Sequence, residues 1–261
     1  MDNSLEIEKT KKFSTPFLNS VSKIGRQRAE MKYRCVECGF GVNTLYVQYS
    51  PGNIRLMKCE NCRAVADEYI EFELMIILID LILHKPKAYR HLLYNVINQQ
   101  TMNSQGFLWK SVIGFLLLDA YRSLLLQRNQ EEQGSSLSFS LTVLRYQKIF
   151  TDVFFGNVMF LCFFLLATRI LLNTSVGISR SRNLLQSIIV SSYFKIFLIG
   201  MMVWEFPSSV IFIIDLFVLS SNIVALKVIT ESDLNRCIGA CFCAHAAKLL
   251  ATQVPMLGSS R

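Results

Sequence analysis

Four stretches of about twenty mostly uncharged residues limit this chain more than anything else in it: 107–126, 153–172, 184–203 and 210–229. The second is the cleanest, reading VFFGNVMFLCFFLLATRILL. A hydrocarbon layer about 30 Å thick is crossed by roughly twenty residues rising 1.5 Å each. Inside it every backbone N–H and C=O must be satisfied within the segment, so such runs fold as helices. The remaining composition agrees, with 52% hydrophobic and only 18% charged residues, too apolar for an ordinary soluble domain of 261 residues. The expected fold class is an α-helical multi-pass membrane protein carrying a small N-terminal β module. Loop charges orient it. The 173–183 connection holds Arg180 and Arg182, whereas 204–209, WEFPSS, has neither Lys nor Arg. Four spans with both termini cytosolic place the first inside and the second outside, leaving 127–152, with Arg128, Arg145 and Lys148, as the exception. The sequon at Asn173 then faces the cytosol, and residues 230–261 form a cytosolic tail.

The front of the chain is different. Residues 1–32 mix charges with Ser and Thr, contain no apolar run of signal-peptide length, and read as a disordered cytosolic tail. Over 33–71 come Cys35-x2-Cys38 and Cys59-x2-Cys62, separated by twenty residues. Each C-x-x-C folds into a tight knuckle that aims two sulfurs at one point, and two knuckles complete a tetrahedron. Gly39 follows the first knuckle, where a left-handed residue is often wanted. NTLYVQYS and IRLMKC read as two strands with PGN turning between them. Four closed thiolates make a structural site, best suited to zinc, with a redox dithiol pair and an iron–sulfur cluster as the rivals. A module so short owes most of its folding free energy to the metal. Glu60, Asp67, Glu68, Glu71 and Glu73 crowd its end, which argues against nucleic acid. The net charge of +8 is better matched to an anionic membrane leaflet.

Residues 72–98 join the two parts. Their apolar stretch, 74–83, is half the length of a span and contains Asp80; Pro86 then breaks or restarts the helix. Tyr89, Leu92, Leu93, Val96 and Ile97 share one helical face. This pattern suits a helix lying in the membrane surface; packing against the cysteine module is the alternative. The order of parts, a four-cysteine ribbon followed by CRAVADEYIEFE and IDLILHKPKAYRHLLYN and then several spans, resembles the ARV family of eukaryotic endoplasmic-reticulum membrane proteins. Cys35, Cys38, Cys59 and Cys62 match that family's cysteines, and Asp80, Lys85, Tyr89, Arg90, His91, Leu93 and Asn95 fit its second motif. The resemblance implies an endoplasmic-reticulum location and roles in sterol distribution, sphingolipid balance and handling of glycosylphosphatidylinositol (GPI) anchor precursors. It implies membrane lipids as partners, or a GPI-anchor glycosyltransferase that the chain scaffolds without catalysis.

Charges within the spans need partners, since each costs about 2.5–3.5 kcal/mol at a helix centre. Asp119 and Arg122, three apart, can pair on one face. Lys195 and Asp215 lie at similar depth across the 204–209 turn. Their pairing is expected to line a cleft for a lipid headgroup, with a purely structural bond or a snorkelling lysine as alternatives. Cys237, Cys241, Cys243 and His245 could be a second metal site, palmitoylation sites or inert thiols. No Ser-His-Asp order or glycine-rich phosphate loop stands out, so no enzyme is expected.

Overall fold

The computed structural model describes residues 33–97, 105–131, 139–172, 178–204, 207 and 209–258. The expected disordered tail, 1–32, and the sequon at Asn173 lie outside them. The chain divides into two compact units, one of Met1–Ile79 with Arg90–Asn98, the other of Asp80–Tyr89 with Gln99–Arg261.

The first unit is a ribbon of two short antiparallel hairpins. β1 (Tyr33–Arg34) pairs with β2 (Gly41–Val42), and β3 (Tyr46–Ser50) with β4 (Asn53–Leu56). Ser50 pairs with Asn53 across Pro51 and Gly52. Gly52 has φ +84°, and proline followed by a left-handed glycine is the signature of a type II turn. The knuckles are built alike. Gly39 (φ 75°) and Arg63 (φ 63°) donate N–H to Cys35 O and Cys59 O, each at 2.9 Å. Cys35 N and Cys59 N in turn donate to Phe40 O and Ala64 O, each at 2.8 Å. The buried interior is small: Cys35, Val42, Leu45, Cys59 and Ala66.

A corner at residues 80–90 follows. α1 (Leu74–Ile82) ends in a Schellman motif, with His84 N–H bonded to Leu81 O and Lys85 N–H to Asp80 O, both at 3.0 Å. His84 takes the left-handed position, φ 57°, usually held by glycine. Pro86 then opens α2 (Pro86–Arg90), a position where its missing N–H would be unpaired anyway. The helix continues with π geometry over His91–Val96.

The second unit is helical: α3 (Gln105–Glu131), α4 (Phe139–Leu171), α5 (Ile178–Ser191), a 3-10 stretch (Ser192–Ile196), α6 (Phe197–Val203), α7 (Ser209–Thr230) and α8 (Leu234–Gly258). α4 packs along α8, and α7 packs on α5 and α8, around Phe160, Phe164, Leu184, Ile188, Leu226, Cys237 and Cys241. Among the described residues, three helical segments are long and apolar enough to cross a membrane, over Tyr146–Leu171, Ser181–Gly200 and Ser209–Thr230. The protein is therefore a multi-pass helical membrane protein with a small β ribbon in front. Outward-facing Phe154, Phe155, Leu166, Ile170, Phe212 and Leu216 suit contact with lipid tails, a surface water would not tolerate.

The first expected span, 107–126, lies within α3, a helix long enough to cross that carries Lys110, Asp119 and Arg122. One expectation changes. The region expected as a tail, 230–261, holds a helix of 25 residues packed on α4 through Cys237, Ala240, Cys241 and Ala244. Small side chains there let two helix backbones approach closely.

Candidate functional site

In the ribbon, the two knuckles bring Cys35, Cys38, Cys59 and Cys62 together, with all four sulfurs within 4.8 Å of one another. Cys35 Sγ is 3.7 Å from Cys62 Sγ, and Cys38 Sγ is 3.7 Å from Cys59 Sγ. Tetrahedral bonds of about 2.3 Å set an edge of about 3.8 Å between thiolates, so the donors are spaced for one four-coordinate metal ion. A disulfide would need about 2.05 Å. The first cysteine of each knuckle, Cys35 and Cys59, is buried, and the second, Cys38 and Cys62, is partly exposed. Burial pushes the Cys35 thiol up to about 12. At Cys38 burial acts the same way but is outweighed by hydrogen bonds, the Phe40 backbone first, which bring it to about 7. A buried thiol so reluctant to ionise is a good ligand only when a cation compensates its charge.

Three members of the second motif fasten onto this ribbon. Arg90 donates to Val36 O and Glu37 O, at 2.8 and 2.7 Å, and so grips the first knuckle from its carbonyl side. Asn95 bonds the backbone of Arg34 in both directions, accepting from its N–H and donating to its O, each at 2.9 Å. His91 Nδ1 and Asn95 Nδ2 both lie 2.7 Å from Asp67 Oδ2, while Asp67 Oδ1 accepts from Tyr69 N–H at 3.1 Å. Asp67, fully buried, ties the end of the ribbon to the helix. Only the acidity of its segment was legible in sequence, not its burial.

The motif's other members build the corner in the second unit. Lys85 Nζ pairs with Asp80 at 2.7 Å across the Schellman turn. Tyr89 donates its hydroxyl hydrogen to Ser221 Oγ at 2.9 Å. The His84 ring stacks among Tyr89, Phe194 and Phe217, and its Nε2 lies 2.8 Å from Ser220 Oγ. The expected membrane-surface motif of Asp80, Lys85, Tyr89, Arg90, His91 and Asn95 is corrected at Tyr89, His91 and Asn95. Tyr89, His91 and Asn95 are buried and their polar atoms are held by protein groups, which a lipid surface could not supply. Exposed apolar side chains occur earlier, at Leu74, Met75, Ile79 and Leu83.

The bundle pairs its charges differently from expectation. Lys195 bonds Asp119 Oδ1 at 2.8 Å, not Asp215. Asp215 instead receives Arg122, which donates from Nε at 2.9 Å and also from Nη2. The i,i+3 pairing of Asp119 with Arg122 gives way to these interhelical bonds. The reason is local geometry near Lys195. Ser192 Oγ bonds back to Ile188 O at 2.8 Å, and the helix tightens to 3-10 form over Ser192–Ile196. That turn carries Lys195 toward α3 and over the Phe115 ring, 3.7 Å from its centroid. Lys248 on α8 bonds the second oxygen of Asp119, and Asn157 Oδ1 at 3.0 Å. In sequence Lys248 falls nineteen residues past the last apolar run, 210–229, with nothing nearby to pair it. Its place on one stripe with Cys237, Cys241 and Ala244, all buried, was the available signal. Cys237, Cys241, Cys243 and His245 do not converge as metal ligands; His245 Nε2 accepts from Asn222 Nδ2 at 3.2 Å.

A model of the Arv1-like family matches residues 34–226. Protein ARV 1 of Arabidopsis thaliana is 55% identical over 87% of this chain and 90% of its own length. Protein ARV 2 of the same plant is 54% identical over 87% and 96%. Protein ARV1 of Homo sapiens is 31% identical over 77% and 73%. No solved structure matches the chain.

Proposed function

The chain belongs to the Arv1-like family, and from that premise we propose that it is an endoplasmic-reticulum membrane protein of lipid homeostasis. It mediates sterol transport and distribution, and influences sphingolipid metabolism and the handling of GPI-anchor precursors. Its partners are membrane lipids, sterols first, and it does not bind nucleic acid. The ribbon holds zinc through Cys35, Cys38, Cys59 and Cys62, in a closed structural site on the cytosolic face. Exposed Leu74, Met75, Ile79 and Leu83 on and beside α1 rest on the membrane surface.

The observation that carries this reading is the charge cluster inside a bundle whose outer surface is apolar. Ionisable groups at that depth are expensive, and they mark the places where membrane proteins meet polar ligands. Lys195 and Asp215 contribute to it through Asp119 and Arg122 rather than through each other. A second reading, a non-catalytic scaffold of a GPI-anchor glycosyltransferase, is favoured by the hairpin β3–β4. It presents Tyr46, Val47 and Tyr49 to the surroundings, with Met57 just after it, residues suited to bury against another protein.

Purified protein reconstituted into donor vesicles tests the two. Sterol exchange with acceptor vesicles that is faster than in protein-free controls is the expected result. No acceleration, together with stable co-purification of a glycosyltransferase, would replace the first reading by the second.

A further inference from the structure

The charges within the bundle do not balance. Lys195 and Lys248 address separate oxygens of the one Asp119 carboxylate, while Arg122 is matched by Asp215. His245 is neutral by its bonding. Ser191 Oγ donates to Asn222 Oδ1 at 2.6 Å, which turns Asn222 Nδ2 toward His245 Nε2, and that nitrogen can accept only when unprotonated. Among the described residues, three cations therefore meet two carboxylates, and one positive charge is left over. The rings of Phe115 and Phe160 lie 5.7 and 5.9 Å from Lys248 Nζ, and Phe115 also faces Lys195. Aromatic faces on several sides of the ammoniums favour their charged state. An unmatched cation in a bilayer is costly, so it attracts an anion.

The members of the cluster differ in access. The side chains of Lys195 and Asp119 are 5% and 4% exposed, whereas Lys248 and Arg122 are each 17% exposed. The inner pair is sealed, and the surplus reaches the outside of the bundle through its two outer cations.

We propose that Lys248 and Arg122, backed by Asp119, Lys195 and Asp215, form a binding site for a phosphate-type anion carried as the headgroup of a membrane lipid. Guanidinium and ammonium groups are the side chains that recognise phosphate oxygens, one as a planar fork and the other as a point charge. Asp119 holds Lys248 and Asp215 holds Arg122, so that a second, mobile anion finds the two outer cations already oriented. The phosphate chemistry is shared by lipid and free ion. The lipid source is favoured by the apolar outer surface of the bundle, which exposes Phe154, Phe155, Leu166, Phe212 and Leu216 and which free phosphate would not cross. This inference rests on the lipid-handling reading only in that choice of source.

The test uses the full chain, metal-loaded, in phosphatidylcholine nanodiscs. Titration with short-chain phosphatidic acid, with inorganic phosphate, and with short-chain phosphatidylcholine separates the sources. Phosphatidic acid is expected to bind more tightly than phosphatidylcholine. Lys248→Met is expected to weaken it roughly tenfold to a hundredfold, the loss of one charge-assisted hydrogen bond, and Lys248→Arg to retain most of it. Lys110→Met, at an exposed position of α3, leaves binding unchanged. Equal binding of phosphatidic acid and phosphatidylcholine, or Lys248→Met binding like wild type in a folded bundle, overturns the site. Inorganic phosphate binding without any preference among lipids overturns the lipid source. Should Lys248→Met fail to fold, Lys248→Gln with the same titration decides. Binding that depends on Lys248 without sterol exchange between vesicles would sink the transport reading and leave this site standing.

Discussion

Asp119→Asn should be the most damaging single change in the bundle's charge cluster. The carboxylate is buried and holds two ammoniums, Lys195 at 2.8 Å and Lys248 on its other oxygen. Asparagine keeps the shape and can accept one hydrogen bond, but it leaves two cations without a counter-charge. Breaking a buried pair by removing one partner costs about 3–5 kcal/mol, because an uncompensated charge stays behind. Lys248→Met has the opposite electrostatic effect. It leaves Asp119 matched by Lys195 but Asn157 Oδ1 without its donor, and its cost should be about 1–3 kcal/mol. Lys195→Met falls between, since Lys248 still neutralises Asp119 while a fully buried side chain must be repacked. For a chain of this size 1 kcal/mol shifts the unfolding midpoint by roughly 2–4 °C. Asp119→Asn should therefore lower the midpoint of detergent-solubilised protein by roughly 6–20 °C, and Lys248→Met by roughly 2–12 °C. The measurement is intrinsic-fluorescence melting of both variants beside wild type. Equal midpoints for Asp119→Asn and Lys248→Met would refute the shared-carboxylate account, because no unequal division of charge would then exist.

Other outcomes follow from the ribbon and the corner. Cys59→Ser removes one of four metal ligands and should release the ion and expose 33–71 to protease while the helices of the bundle remain protected; metal-to-protein ratio and limited proteolysis read the two halves. Asp67→Leu leaves His91 and Asn95 without their shared acceptor, a loss of about 1–3 kcal/mol, and should hasten metal loss to a chelator without altering the metal stoichiometry. Burial lowers the His84 imidazole from its ordinary 6.5. The folded corner thus resists protonation, its contribution is complete above about pH 6.5, and it declines as pH falls below that value toward the folded pKa. Asn suits the left-handed backbone at this position, so His84→Asn should flatten the fall in melting midpoint below pH 6.5; an unchanged slope would exclude His84 as its source.

The ribbon was legible because its information is local. Two C-x-x-C steps, Gly39 after the first, and Pro51-Gly52 between the strands each dictate a turn within a few residues. The sequence signal was weaker at the second knuckle, where Arg63 takes the left-handed role that glycine has in the first. In the motif around residues 80–95, residue types were readable but not their allegiance. Asp80, Lys85 and Tyr89 build the corner, while Arg90, His91 and Asn95 grip the ribbon. A single helical face, Tyr89 to Ile97, looks the same in a hydropathy pattern whether lipid or protein covers it.

Apolar length and cysteine spacing were enough to establish membrane helices and a cluster of four cysteines spaced for a metal ion, because backbone hydrogen bonding in lipid and the paired knuckle turns each leave one solution for those local patterns. Which acid meets which base was another matter. Lys195 and Asp215 are close in depth, and depth is all that counting residues from a turn provides. Rotation about each helix axis, set by packing and by the 3-10 twist at Ser192–Ile196, turned Lys195 to Asp119 and left Asp215 to Arg122. The helix Leu234–Gly258 then delivered Lys248 from far along the chain to the same carboxylate, a meeting between distant residues that no local pattern encodes.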